Sequence, residues 1–132
     1  MVYSEVNGIS LIDDTFNANP QAVRAALDYI KIYKKKKIIV MQPMIELGKN
    51  AEEEHYLMAK AIGDVCDFIF VTNKNFYSAI SKGITDGKRK CVLQVGNTSY
   101  ISSEIQKIAQ KEDVVVFEGK EAAFVLDKLN SV

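Results

Sequence analysis

Short apolar runs alternate along the chain with stretches in which apolar residues recur every three to four positions. Val2-Tyr3-Ser4-Glu5-Val6 and Ile9-Ser10-Leu11-Ile12 read as strands, and the Asn7-Gly8 dipeptide between them predicts a hairpin turn of type I′. A helix is predicted from about Pro20 to Tyr33. Proline suits its first turn, and Val23, Ala26, Leu27 and Ile30 share one face. A strand follows over 37–41, then a loop through Gly48. The second helix, over 51–65, has Leu57, Met58, Ala61, Ile62 and Val65 as its expected inner side. Beyond it come a strand over 67–72, a short helix over 76–84 and a strand over 91–95. A helix over 99–110, a strand over 114–117 and a last helix over 120–129 complete the pattern.

Strands rich in Ile, Val and Phe, separated by helices, predict the α/β class. The expected architecture is a Rossmann-like three-layer domain with a mostly parallel sheet of about six strands and helices on both faces. The opening hairpin adds one antiparallel strand at or near an edge. No linker-like, repetitive or low-complexity stretch divides residues 1–132, which read as a single domain.

Composition changes this picture little. Seventeen basic residues balance seventeen acidic ones and 48% of positions are hydrophobic, the profile of a soluble globular protein. Zero net charge gives no long-range pull toward nucleic acid or an anionic membrane, so neither is expected as a partner. The apolar runs are strand-length, too short to span a bilayer, and Met1–Glu5 lacks the progression of a signal peptide. Cys66 and Cys91 show no ligand spacing and read as reduced, partly buried thiols of a cytoplasmic protein. One histidine and two separated cysteines do not make a zinc site. The run Lys34-Lys35-Lys36-Lys37 reads as a solvated helix end, where cations oppose the negative end of the dipole.

Chemistry is expected where loops leave the carboxyl ends of parallel strands. The first such loop carries Asp13-Asp14-Thr15-Phe16-Asn17-Ala18-Asn19, and the second Gln42-Pro43-Met44-Ile45-Glu46-Leu47-Gly48. The third offers Thr72-Asn73-Lys74-Asn75 and the last Glu118-Gly119-Lys120-Glu121. A carboxylate at a strand tip can accept from ribose hydroxyls, and an adjacent Asn suits an adenine edge or an amide. On that reading Asp14 faces solvent. In the alternative, Asp14 and Asn17 merely cap the following helix.

The segment Asp14-Thr15-Phe16-Asn17-Ala18-Asn19-Pro20 resembles the motif that opens the C-terminal domain of Mur ligases. These are ATP-dependent enzymes that build the peptidoglycan stem peptide, and the match is best to the type that adds D-alanyl-D-alanine. Met44-Ile45-Glu46-Leu47-Gly48 resembles the family's second block, and His55 matches the histidine that commonly follows it. The order holds from about Gly8 to Leu129. The resemblance implies that Asp14 and Asn17 contact ATP. It places Asn19, Glu46, His55, Glu118 and Lys120 where the incoming amino component is positioned, although a lone helical histidine also suits a purely structural role.

Two departures bear on activity. Gln42-Pro43 stands where the family has Gly-Asp, and Glu118-Gly119-Lys120-Glu121 where it has Lys-Gly-Ser-Arg, so two cations become anions. No Gly-x-x-x-x-Gly-Lys-Ser/Thr phosphate loop is present. In Mur ligases that loop and the magnesium ligands lie in a central domain, and a UDP-sugar binds an N-terminal one. The chain is thus expected to be the third domain alone, with ATP and Mg as cofactors of the whole enzyme. Its expected partners are the central ATPase domain, a UDP-linked muramoyl peptide and an amino acid or dipeptide. The competing readings are a Mur-like binding or regulatory module without ligase activity and an unrelated Rossmann-like nucleotide binder. The absence of a Gly-rich turn after the first strand disfavours the latter.

Overall fold

A computed structural model describes residues 1–17, 19–44 and 48–131. Strands β1 (Val2–Val6) and β2 (Ile9–Asp14) form the hairpin, and α1 (Pro20–Ile30) leads to β3 (Lys37–Met41). A single 3-10 turn, Gly48–Asn50, precedes α2 (Ala51–Val65). Then follow β4 (Phe68–Val71), α3 (Tyr77–Asp86), β5 (Val92–Val95), α4 (Thr98–Ile108), β6 (Val114–Glu118) and α5 (Lys120–Asn130).

One six-stranded sheet runs in the order β1-β2-β6-β3-β4-β5. Only the β1–β2 pair is antiparallel, as the hairpin predicts. Asn7 and Gly8 have φ of 54° and 80°, the two left-handed residues that a type I′ turn requires. Helices α1, α2 and α3 cover one face through Val23, Leu27, Met58, Ile62, Ile80 and Ile84. Helices α4 and α5 cover the other through Ile101, Ile105, Val125 and Leu126. Strands β3 and β6 are buried along their whole length, which is why their sequences run apolar instead of alternating.

Strand β6, last in sequence, lies between β2 and β3. The loop after β6 leads to one face, and those after β2 and β3 to the other. This divergence is the topological switch point at which open α/β sheets form a crevice.

Three details depart from the sequence expectation. Helix α1 ends at Ile30, not Tyr33: the Lys31 amide bonds the Leu27 carbonyl, and the Tyr33 amide turns back to Ile30. The run from Lys34 therefore lies past the helix and is not its dipole partner. Leu57, expected on the inner side of α2, is 40% exposed, while His55 is among the buried residues of that helix. Asp14 is 4% exposed rather than solvent-facing, because pairing with β6 covers the tip of β2.

Helices α2 and α3 pack tightly at Gly83. A Cβ there would clash with the Tyr56 carbonyl oxygen and lie 2.7 Å from the Ala59 Cβ, both on the facing helix. Gly83→Ala should therefore destabilise the fold by about 2 kcal/mol despite alanine's better helix propensity. Urea denaturation checks this: the midpoint falls while the slope stays constant.

Candidate functional site

The carboxyl tips of β2, β6 and β3 place Asp14, Glu118 and Met41 in one register row. In parallel strands such partners point to the same face, so the two carboxyls are neighbours. Asp14 accepts a hydrogen bond from Asn17 Nδ2 at 2.8 Å, and the Asn17 amide closes a turn onto the Asp14 carbonyl at 3.0 Å. Glu118 is 1% exposed, and neither of its oxygens has a donor facing it among the described residues. A hydrogen bond to Asp14 forms only if Glu118 holds the proton and donates it. Burial, first, and then the neighbouring Asp14 push the Glu118 carboxyl up to about 10. At neutral pH Glu118 is therefore held protonated and uncharged beside Asp14.

The remaining expected residues fall into separate roles. Asn19, not Asp14 or Asn17, caps α1, accepting from the Ala22 amide at 2.8 Å. Lys120 is exposed at the first turn of α5, with no ion pair among the described residues. Glu46 falls outside the described residues. His55 is fully buried: its Nε2 accepts from the Met44 amide at 2.9 Å, so Nδ1 carries the proton donated to the Ala51 carbonyl at 2.6 Å. Its ring stacks on Phe76, 4.2 Å between centroids. This histidine pins the loop after β3 to the start of α2, with no ring nitrogen left for a ligand.

A second polar cluster lies on the same edge. Glu121 accepts from Thr72 Oγ1 at 2.6 Å and Asn73 Nδ2 at 3.0 Å, and its amide donates to Gln42 Oε1 at 2.9 Å. Gln42 thereby binds the start of α5, which a Gly at this position would leave open. Gly119 permits the contact: its φ is 92°, and a Cβ there would lie 2.8 Å from the Gln42 Cβ. Phe16, in the loop with Asn17, is 97% exposed and offers a bare aromatic face. The only sequence signal for it was an aromatic inside an otherwise polar turn. An open groove of about 950 Å³ lies between the start of α2 and the loop before α3, lined by residues including Tyr56, Lys74, Phe76 and Lys82. It includes none of Asp14, Asn17, Glu118 or Lys120.

Chemically this edge offers an aromatic face, amides and carboxylates for the polar parts of a nucleoside or amine. Its cations are few. The described residues contain no group of three or more His, Cys, Asp or Glu placed to hold a metal. Burial raises both cysteine thiols above their ordinary range, so neither serves as a ready nucleophile.

The raised Glu118 pKa sets a pH dependence. A carboxyl raised on folding contributes its full stability below about pH 4.5, and loses it as pH climbs toward about 10. Glu118→Gln keeps a donor for Asp14 and removes that loss. At pH 8 the variant should be more stable than the parent by on the order of 2 kcal/mol, with the difference vanishing near pH 4. His55 acts oppositely. Burial lowers its pKa, against smaller raising effects from the Ala51 bond and Glu54. Below about pH 6.5 the unfolded chain takes up a proton that the fold refuses, so stability falls with pH toward the folded value. Melts of His55→Gln against the parent between pH 7 and 5 should show a smaller loss in the variant.

The family model for the Mur ligase, glutamate ligase domain matches residues 1–121. Among solved structures, MurF ligase from Thermotoga maritima in complex with ADP superposes with a TM-score of 0.82 at 25% identity, over 98% of this chain and 30% of that one. MurF from Acinetobacter baumannii gives 0.81 at 22% identity, over 99% and 30%. The murein peptide ligase Mpl from Psychrobacter arcticus gives 0.72 at 16%, over 98% and 29%. The chain thus spans about a third or less of the length of these ligases. With the family model matched over nearly its whole length and the sheet order agreeing in fold, this chain belongs to the Mur ligase family, as its C-terminal domain.

Proposed function

We propose that the chain is the third domain of a cytoplasmic, ATP-dependent ligase of peptidoglycan precursor synthesis. It helps bind ATP and positions the incoming amino component, D-alanyl-D-alanine in the most similar type. The observation that carries this reading is the likeness over 98% of the chain to a MurF ligase in complex with ADP. In that ligase type ATP phosphorylates the muramoyl-peptide carboxylate, and the amine then displaces phosphate to form the amide. The central ATPase domain supplies the phosphate loop and the magnesium ligands, and the UDP-linked muramoyl peptide and the amino acid or dipeptide are the other partners.

In this reading the exposed Phe16 and Asn17 meet the nucleoside. Asp14, being buried, acts as a positioning residue by holding the Asn17 amide. Asn19 fixes the loop through its cap, and His55 holds the loop that carries Glu46. Lys120 supplies a cation beside the Glu121 cluster, and Glu118 orders Asp14. The domain contributes orientation and exclusion of water on closure over the central domain.

A second reading, a Mur-like module without ligase activity, is favoured by one observation. A buried, protonated Glu118 stands beside Asp14 at the position where the family has a lysine.

The test uses the full parent protein. Phosphate release should depend on ATP, a UDP-muramoyl tripeptide and D-alanyl-D-alanine together. Phe16→Ala and Asn17→Ala should each raise the KM for ATP by about tenfold, the equivalent of one lost contact of ~1.4 kcal/mol, with unchanged melting. No amine-dependent release with any amino acid or dipeptide favours the module. Unchanged ATP affinity in both variants removes the loop from the nucleotide site.

A further inference from the structure

The amino end of the sheet, opposite the candidate site, gathers the loops α1–β3, α3–β5 and α4–β6. They carry Lys34, Lys35 and Lys36, then Lys88, Arg89 and Lys90, then Lys111. The acids among them are internally occupied or few. Asp113 accepts from the amides of Lys36 and Gln110 and pairs with Lys36 Nζ at 3.2 Å. Asp67 binds the Lys37 amide and pairs with Arg89 at 2.6 Å. Glu112 and Glu5 lie beside Lys34 and Lys35, and Asp64 accepts from the Lys88 amide at 2.8 Å. Lys34, Lys35, Lys88, Lys90 and Lys111 are exposed and form no ion pair among the described residues. A chain of zero net charge thus has an end where cations outnumber acids and five lysines are unpaired among the described residues.

An apolar element stands in the same place. Ile32, between α1 and the lysines, is 72% exposed, and Tyr29 one turn earlier is 45% exposed. Lysines around a projecting aliphatic side chain suit a surface that is anionic outside and apolar just beneath. A nucleic-acid surface would instead use free aromatic faces for base stacking. The nearby Tyr33 is partly buried against the core and packs on Tyr29, centroids 6.5 Å apart.

We propose that the amino end of the sheet docks on an anionic lipid bilayer surface, with Lys34, Lys35, Lys88, Lys90 and Lys111 meeting headgroups and Ile32 entering the interface. No helix among the described residues is long and apolar enough to cross a membrane, so the contact is peripheral. It leaves the carboxyl edge turned to water and does not depend on the ligase reading. The experiment is cosedimentation of the chain with phosphatidylcholine vesicles in which about a third of the lipid is phosphatidylglycerol. Binding is expected to these and not to pure phosphatidylcholine, and raising salt to about 0.5 M should release it. The double variant Lys34→Glu/Lys35→Glu should lose at least about tenfold in affinity with unchanged circular-dichroism melting. Ile32→Ser, which leaves the charge unchanged, should weaken vesicle binding several-fold while leaving any retention of single-stranded RNA unaltered. Absence of phosphatidylglycerol-dependent binding overturns the proposal. So does vesicle binding that Ile32→Ser leaves intact, which marks a general polyanion patch.

Discussion

Everything at the carboxyl edge depends on the insertion of β6 between β2 and β3. Its five residues are buried on both faces, and its register brings Glu118 level with Asp14 on one side and Met41 on the other. Without that strand the two halves of the sheet share no ladder, and the tip of β2 is an open edge. With it, a polar strand end becomes a covered one. Two acidic side chains then lie in a low-dielectric setting, where both cannot ionise together. A proton is the least costly way to reconcile them.

The second consequence of the insertion is a division of labour along the edge. The loop after β6 turns to the α4–α5 face, while its neighbours turn away, and Gln42 bridges the gap by binding the first turn of α5. Glu121 is then locked to the β4 tip through Thr72 and Asn73. Below them His55 and Phe76 stack and hold the loop after β3. Phe76 does this from a left-handed backbone conformation, φ 59°, which is costly for an aromatic residue and is sustained by the stacking. Among the described residues the edge exposes Phe16, Asn17, Lys74, Asn75 and Lys120 above these contacts.

Local rules carried the sequence reading far where the cause was local. The hairpin followed from Asn7-Gly8, and α2 came out at its expected limits, Ala51–Val65. The end of α1 did not, because Ile32 and Tyr33 keep a helical spacing that the turn into β3 overrides. Leu57 was expected inside and lies exposed, whereas the structural role that suits a lone helical histidine is what His55 has, with two backbone partners and a stacked ring. Within the first motif, the burial of Asp14 and the capping role of Asn19 were not legible. The first depends on a strand far away in sequence, and the second on which of three polar residues meets a free amide.

The same insertion governs the order in which the fold can be completed. Asp113, at the entrance to β6, staples itself to the Lys36 amide across 77 residues of chain. During synthesis β2 and β3 emerge early, yet each waits for a central neighbour made only after β5 and α4. Their apolar edges stay open in the meantime, a slow, long-range closure of the kind that invites pairing with other chains. A nascent domain of this topology needs shielding longest at the strands that become its most protected interior.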